Sequence, residues 1–229
     1  MLLIKVMPLE FLQKMLYEGE FFFRPSGFFR GLESGDPRKD ENDDKPLTIE
    51  ISEDDKFKYD SVTFADGSGI NFRGIDDDLL SAMTIKHHQG GFSNIYCFAG
   101  VTEQNCCSFL ERNSLRKFGD YAIVIKDISA LINLFKFAEK TNRNIEDGSL
   151  QHAPINYLAD AEFCQLQPPI SPFVKHDKYV SEFEYRFKIS AGPAPILVSL
   201  GNISEFAEII HVDEIEQVVM SRFPQVSFV

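Results

Sequence analysis

The sequence contains no tryptophan, only four cysteines among its 229 residues, and no uninterrupted apolar run of the ~18 to 20 residues that a membrane helix needs. Four irregularly spaced cysteines do not form the disulfide framework of a secreted domain, so a reducing cytoplasm is the expected compartment. Residues Met1 to Pro8 carry one lysine and no small-residue cleavage site, which does not fit a secretory signal. We therefore expect a soluble cytoplasmic protein without membrane contact.

Positive charge is also scarce in this chain. Lys and Arg number 23 against 35 Asp and Glu, which gives a formal net charge of -12, and such a surface repels nucleic-acid backbones. We expect no direct binding to nucleic acid. Acidic residues concentrate between Glu33 and Asp60, and we predict a solvated acidic loop inserted around residues 33–46. The loop has three interpretations: solvation alone, a divalent-cation site, or a mimic of nucleic acid that binds a basic protein partner.

Helix-like and strand-like segments follow one another without a regular βαβ rhythm. Apolar spacing predicts a helix over Pro8–Glu18, and Asp127 can cap a second helix with the widest apolar stripe of the chain. Alternating residues predict strands over Asp120–Lys126 and Phe183–Ile189. The sequence therefore predicts an α+β fold, a mixed and largely antiparallel sheet flanked by helices, as one compact domain over residues 1–229. The 22 phenylalanines predict a Phe-rich core.

Two common kinds of functional motif are missing. The segment Gly67-Ser68-Gly69 lacks the lysine and the spacing of a phosphate-binding loop, which argues against ordinary ATPases. The adjacent pairs His87-His88 and Cys106-Cys107 lack the separation that tetrahedral zinc ligation prefers. No metal cofactor is expected.

One strand carries a row of charges that has two interpretations. Alternation places Glu182, Glu184, Arg186 and Lys188 on one face of the strand and the aromatic residues on the other. Such a row is typical of the solvent-exposed face of a half-buried strand. Alternatively, two carboxylates on one face near a strand end can stabilise a cationic transition state and position a nucleophile. ADP-ribosyltransferases use a Glu-x-Glu or Gln-x-Glu pair in this way on NAD.

Several short segments, in this order, resemble a widespread family of uncharacterised bacterial and phage proteins. They are an aromatic strand and turn that lead to an acidic motif, a strand with a cysteine, Gly-Asp before an apolar strand, a tyrosine strand, and a lysine before a closing Glu-x-Glu-Tyr-Arg. In this chain they are Phe21–Arg30 with Asp36-Pro37, Ile95–Phe98, Phe118–Tyr121, Ile155–Tyr157 and Lys175–Arg186. The acidic motif departs from the family, because Lys39-Asp40-Glu41 stands where a glutamate usually follows Asp-Pro.

The strand arrangement of that family and its closing Glu-x-Glu are similar to an ADP-ribosyltransferase core. The resemblance implies that Glu184 stabilises an oxocarbenium-like ribose and that Glu182 orients the acceptor or water. It implies that Arg24 or Arg30 clamps the phosphates of NAD. The Ser-Thr-Ser motif of arginine-modifying transferases is not evident.

Two functions are therefore expected as alternatives. The first is NAD-dependent ADP-ribosyl transfer or NAD cleavage in a prokaryotic or phage conflict, with NAD as the substrate. The second is a non-enzymatic protein that binds a partner through its acidic surface, as a nucleic-acid mimic or an inhibitor.

Overall fold

Three apolar segments of the sequence form the centre of the fold. Residues 2–6, 93–101 and 121–125 are short, predominantly apolar runs, which is typical of strands buried on both faces. The computed structural model describes residues 1–26, 28, 32, 93–166 and 170–225, together with the backbone of four short strands between residues 47 and 87. In it the three runs are neighbouring strands of one antiparallel sheet.

The strands are, in chain order, β1 (Leu2–Val6), β2 (Glu20–Pro25), β3 (Leu47–Glu50), β4 (Ser61–Thr63), β5 (Gly69–Asn71), β6 (Thr84–His87), β7 (Ser93–Val101), β8 (Tyr121–Ile125), β9 (Gln151–Pro154), β10 (Asn156–Leu158), β11 (Val174–His176), β12 (Glu184–Ser190), β13 (Ile196–Ser199) and β14 (Ala207–His211). The α-helices are α1 (Leu9–Glu18), α2 (Cys106–Arg112), α3 (Ile128–Thr141), α4 (Asp160–Phe163) and α5 (Ile215–Arg222). Within the described residues, 3₁₀ turns cover Leu115–Phe118, Asp177–Glu182 and Val212–Glu214.

The main sheet has eight strands, and six of them follow the order β13-β2-β7-β1-β8-β14. Strand β12 pairs with β7 along its whole length, and β9 pairs with the outer edge of β12. All of these pairings are antiparallel. Among the described strands, β10 and β11 form a separate parallel pair, while β3 pairs with β6 and β4 with β5. The predicted α+β class with a largely antiparallel sheet is confirmed.

The edge of β7 that faces away from β12 is shared by two strands. Strand β1 pairs with β7 from Ala99 to Val101, and β2 pairs with it only at Asn94 and Ile95. The sheet is therefore forked where β1 and β2 diverge. The carbonyl oxygen of Cys97 lies in this gap and accepts a hydrogen bond of 2.8 Å from Nζ of Lys5. A lysine thus replaces the strand partner that this carbonyl would otherwise need.

One face of the sheet carries the aromatic core that the composition predicts. Helices α1 and α3 cover it with apolar residues such as Leu12 and Phe135. Phe21 packs against Tyr96 and Phe135 in edge-to-face geometry, with ring centroids 5.3 and 5.0 Å apart. Such pairs add about 0.5 to 1.5 kcal/mol each beyond the burial of their area. The phenylalanines of this face therefore stabilise the fold rather than present free stacking surfaces.

The opposite face of the sheet is divided into two halves. Helices α2 and α5 cover its apolar half over β1 and β8, with Phe109 and Val219 fully buried there. The other half lies over β7 and β12 and carries charged side chains. This division of one face into an apolar and a charged half positions the site described below.

Two helix ends that the sequence predicts from their capping residues are present in the structure. Helix α1 ends at Gly19, whose φ of +63° is the left-handed conformation that glycine adopts most readily. The carboxylate of Asp127 accepts a hydrogen bond of 3.0 Å from the backbone N–H of Ala130 and so caps α3. Among the described residues, no helix is long and apolar enough to cross a membrane.

Candidate functional site

The charged row of the sequence is not the solvent-exposed strand face that its alternation suggests. Strand β12 begins at Glu184, and Glu182 instead ends the 3₁₀ turn Asp177–Glu182. Phe183 between them has a φ of +48°, which turns the chain before the strand starts. The residues Glu184, Arg186 and Lys188 do share a face, but their exposed fractions are only 7%, 2% and 6%. That interpretation is wrong because the charged half of the sheet is covered rather than hydrated.

Arg186 and Glu184 form a buried ion pair on this face. Nε of Arg186 donates to Oε1 of Glu184 at 2.5 Å, and a terminal nitrogen donates to Oε2 at 3.4 Å. The other terminal nitrogen donates to the carbonyl oxygen of Pro172 at 2.5 Å. A two-point pair of this kind fixes the plane of the carboxylate as well as its position.

Lys175 of β11 joins the two glutamates of the Glu-x-Glu segment. Its Nζ lies 2.8 Å from Oε2 of Glu182 and 2.8 Å from Oε2 of Glu184. Although Glu182 lies outside the strand, the two carboxylates therefore come together through a shared cation. Tyr157 of β10 adds a further constraint, because its hydroxyl accepts a 2.8 Å hydrogen bond from the backbone N–H of Glu184.

The two carboxyl groups have opposite shifts in pKa. Burial would raise the pKa of Glu184, but the positive charges of Arg186 and Lys175 outweigh it and hold that pKa well below its usual range. Burial raises the pKa of Glu182, and the negative charge of Glu184 raises it further, against the opposing effect of Lys175. Glu184 is thus an ionised carboxylate, while Glu182 holds a proton more readily than an ordinary glutamate.

The thiol of Cys97 lies beside the same carboxylate. Burial, followed by the negative charge of Glu184, raises the pKa of this thiol well above the usual range for cysteine. A thiol is a nucleophile only as the thiolate. Cys97 is therefore not an activated nucleophile at this site.

A cavity of about 910 Å³ adjoins the ion-pair cluster. Glu182, Glu184 and Arg24 all line it, and so do residues on both sides of the fork between β1 and β2. The guanidinium carbon of Arg24 lies 4.6 Å from the ring centroid of Phe22 and 4.5 Å from that of Phe28. Stacking of this kind holds the guanidinium plane and leaves its edge available for planar anions.

The charge of the cavity differs in sign from that of the whole chain. Its described lining carries six cationic side chains and three carboxylates, in a chain of net charge -12. The cations are Lys5, Lys14, Arg24, Lys117, Lys175 and Arg186, and the carboxylates are Glu20, Glu182 and Glu184. A cavity with this balance attracts anionic ligands that the rest of the surface repels.

The structure therefore brings together three of the four site residues that the sequence predicts. Arg24, Glu182 and Glu184 border one cavity, whereas Arg30 lies outside the described residues. The acidic loop predicted around residues 33–46 also lies outside them. Sequence reasoning assigned no role to Lys175, Arg186 or Tyr157, although the motif segments contained all three. The need of two neighbouring carboxylates for shared cations is a signal that could have found Lys175 and Arg186.

Among the described residues, no group of three or more His, Cys, Asp or Glu side chains is arranged to hold a metal ion. Comparison of the chain with protein-family models, with curated proteins and with solved structures finds no match.

Proposed function

We propose that this protein cleaves the bond between nicotinamide and ribose in NAD and passes the ADP-ribosyl group to water or to an acceptor. One observation carries the proposal: Arg24 and the carboxylates of Glu182 and Glu184 line the same cationic cavity. Arg24 lies about 160 positions before the two glutamates in the sequence, and each of the three side chains would have a distinct task on a dinucleotide.

The cavity suits a ligand with phosphates and planar rings. Its volume of about 910 Å³ lies within the roughly 300 to 1,000 Å³ that is usual for small-molecule sites. Its excess of cations complements the two negative charges of a pyrophosphate, and Arg24 can bind phosphate oxygens through two N–H groups. The rings of Phe11, Phe22 and Phe28 also line it and supply apolar surface for a base.

The reaction needs a negative charge beside the ribose while the bond breaks. The electron pair of the C1′–N bond passes to the ring nitrogen, so nicotinamide leaves neutral and the ribose acquires positive charge at C1′. Glu184 stabilises that charge because its low pKa keeps it ionised. An oxygen of water or of the acceptor then bonds to C1′, and its proton passes to the carboxylate of Glu182.

The opposite pKa shifts of the two glutamates support this division of roles. A carboxylate that stays ionised is suited to electrostatic stabilisation, and one with a raised pKa accepts a proton more readily than an ordinary glutamate. Lys175 and Arg186 compensate the charge of the pair in the buried site, so both carboxylates can remain beside the cavity.

The test is NAD turnover by the purified protein, followed by NMR of the released nicotinamide. Glu184→Gln keeps the size of the side chain and removes the charge, so we expect loss of turnover in a folded variant. Glu208→Gln is the matched control, because Glu208 lies on β14 and is absent from the described lining of the cavity. Turnover by Glu184→Gln equal to that of the unaltered chain would reject the assignment.

The phosphate contact is tested separately by Arg24→Lys. Lysine keeps the positive charge but loses the planar two-point geometry and the stacking between two rings. We expect KM for NAD to rise by about tenfold while kcat changes little, since the interaction acts on binding rather than on the reacting bond. An unchanged KM would remove Arg24 from the site.

A further inference from the structure

The carboxylate pair is held from outside the main sheet. Strands β10 and β11 form their own parallel pair, and within it Tyr157 and Lys175 are register partners. The two strands therefore place the side chains of Tyr157 and Lys175 next to each other at the start of β12. The hydroxyl of Tyr157 contacts the backbone of Glu184, and the ammonium group of Lys175 contacts the side chains of both glutamates.

Lys175 is placed where a cation influences both carboxylates at once. Its side chain is 7% exposed and that of Glu182 is 20% exposed, so water screens their interaction weakly. The groups that face Glu182 are Lys175 on β11, Glu184 on β12, Lys117 in the turn Leu115–Phe118, and Tyr157 on β10. Within this set, Lys175 forms the hydrogen bond to Glu182, and the same ammonium group contacts Glu184.

We infer that Lys175 is a positioning residue that holds Glu182 and Glu184 together at the cavity, with Tyr157 fixing the backbone of Glu184. This inference rests on the proposed function, in which the two carboxylates act on one ribose. Lys175 itself need not touch the substrate. Without it, the two negative charges would repel each other and Glu182 would lose the donor that orients its carboxylate.

The experiment compares Lys175→Met with Lys175→Arg. Methionine keeps an unbranched stem without charge, whereas arginine keeps the charge and several donors. Lys178→Met is the matched control, because Nζ of this exposed lysine lies 4.9 Å from the ring centroid of Tyr179 and Nζ of Lys175 lies 5.0 Å from the same centroid. The control therefore removes a lysine that lies near the same ring, but it leaves the lysine that links the two glutamates.

Two properties are measured on each folded variant. The first is the titration midpoint of the Glu182 carboxyl carbon, followed by NMR of protein labelled with ¹³C-glutamate and assigned with Glu182→Gln. We expect Lys175→Met to raise this midpoint by about one unit or more, because an opposite charge at this distance is lost. The second is NAD turnover, for which we expect kcat to fall by about tenfold or more with little change in KM. Lys175→Arg should restore the midpoint and part of kcat.

The two readouts separate this inference from the proposed function. If the unaltered protein does not turn NAD over, the proposed function fails, and the shift of the midpoint alone decides the role of Lys175. If the midpoint of Glu182 is the same in Lys175→Met, or shifts equally in Lys178→Met, the inference is overturned whatever the turnover. Should Lys175→Met fail to fold, Lys175→Gln provides the same comparison with a neutral side chain that can still donate a hydrogen bond.

Discussion

The stability of the site depends on the side chain of Arg186. It is 2% exposed and donates to both oxygens of Glu184 and to the carbonyl oxygen of Pro172. Arg186→Met would leave the carboxylate of Glu184 buried with Lys175 as its remaining described cation. Removing one partner of a buried pair in this way lowers the free energy of unfolding by about 3 to 5 kcal/mol. We expect a loss of that size for Arg186→Met.

The assay is urea unfolding at pH 7, followed by circular dichroism. Lys126→Met is the matched control, because Lys126 forms a 2.7 Å ion pair with Glu208 in which both side chains are at least 40% exposed. An exposed pair of this kind contributes less than about 1 kcal/mol. The double variant Glu184→Gln/Arg186→Met should recover part of the loss, since no unpaired buried carboxylate remains. A loss below about 1 kcal/mol in Arg186→Met would show that the buried pair of Arg186 and Glu184 does not hold the site together.

Three further predictions concern the fold and its dependence on pH. Gly19→Ala should destabilise the chain by at least about 2 kcal/mol in the same assay, because φ at Gly19 is +63° and a Cβ there would overlap the backbone of Gly201; an unchanged urea midpoint would contradict this. Asp127→Ala should lower stability by about 1 kcal/mol through loss of the cap on α3, and Asp127→Asn should restore most of it. The low pKa of Glu184 contributes stability that is fully present above the ordinary glutamate pKa of about 4.3 and is lost as pH falls through the lowered value. Urea midpoints measured from pH 6 down to pH 2 should therefore fall more steeply for the unaltered chain than for Glu184→Gln, and parallel curves would contradict the shift.

Elements with strong local signals could be predicted from the sequence. The helix predicted over Pro8–Glu18 corresponds to α1, and the strand predicted over Asp120–Lys126 corresponds to β8. Both combine a clear apolar period with residues that begin or end the element, such as Gly19. The short strand expected at Ile95–Phe98 extends in the structure to Ser93–Val101, because β12 pairs with Ser93–Ala99 and β1 pairs with Ala99–Val101.

The burial of the site could not be predicted, because it depends on contacts that are distant in sequence. Alternation correctly placed Glu184 and Arg186 on one face of a strand, but it did not show that this face is covered. The covering groups include Lys175 and Pro172, which lie in a segment before the strand without a strong period of their own. The predicted strand began at Phe183 and the charged row included Glu182, whereas the left-handed backbone at Phe183 makes the strand begin at Glu184.

Arg24 and the two glutamates line one cavity because of the forked sheet. Arg24 pairs opposite Ile95 on one edge of β7, and Arg186 lies opposite Cys97 on the other edge. Since β7 separates residues that are about 160 positions apart in the sequence, no spacing rule could place them at one cavity. The resemblance to a family with a closing Glu-x-Glu gave Arg24, Glu182 and Glu184 as candidates, but it did not give their arrangement in space.

The most direct test of the central claim is release of nicotinamide from millimolar NAD by the purified chain, measured by NMR beside Glu184→Gln. We predict turnover by the unaltered chain and its loss in the variant, with circular dichroism showing that the variant is folded. The proposed NAD cleavage is rejected if NAD neither binds nor turns over, or if Glu184→Gln releases nicotinamide at the same rate as the unaltered chain.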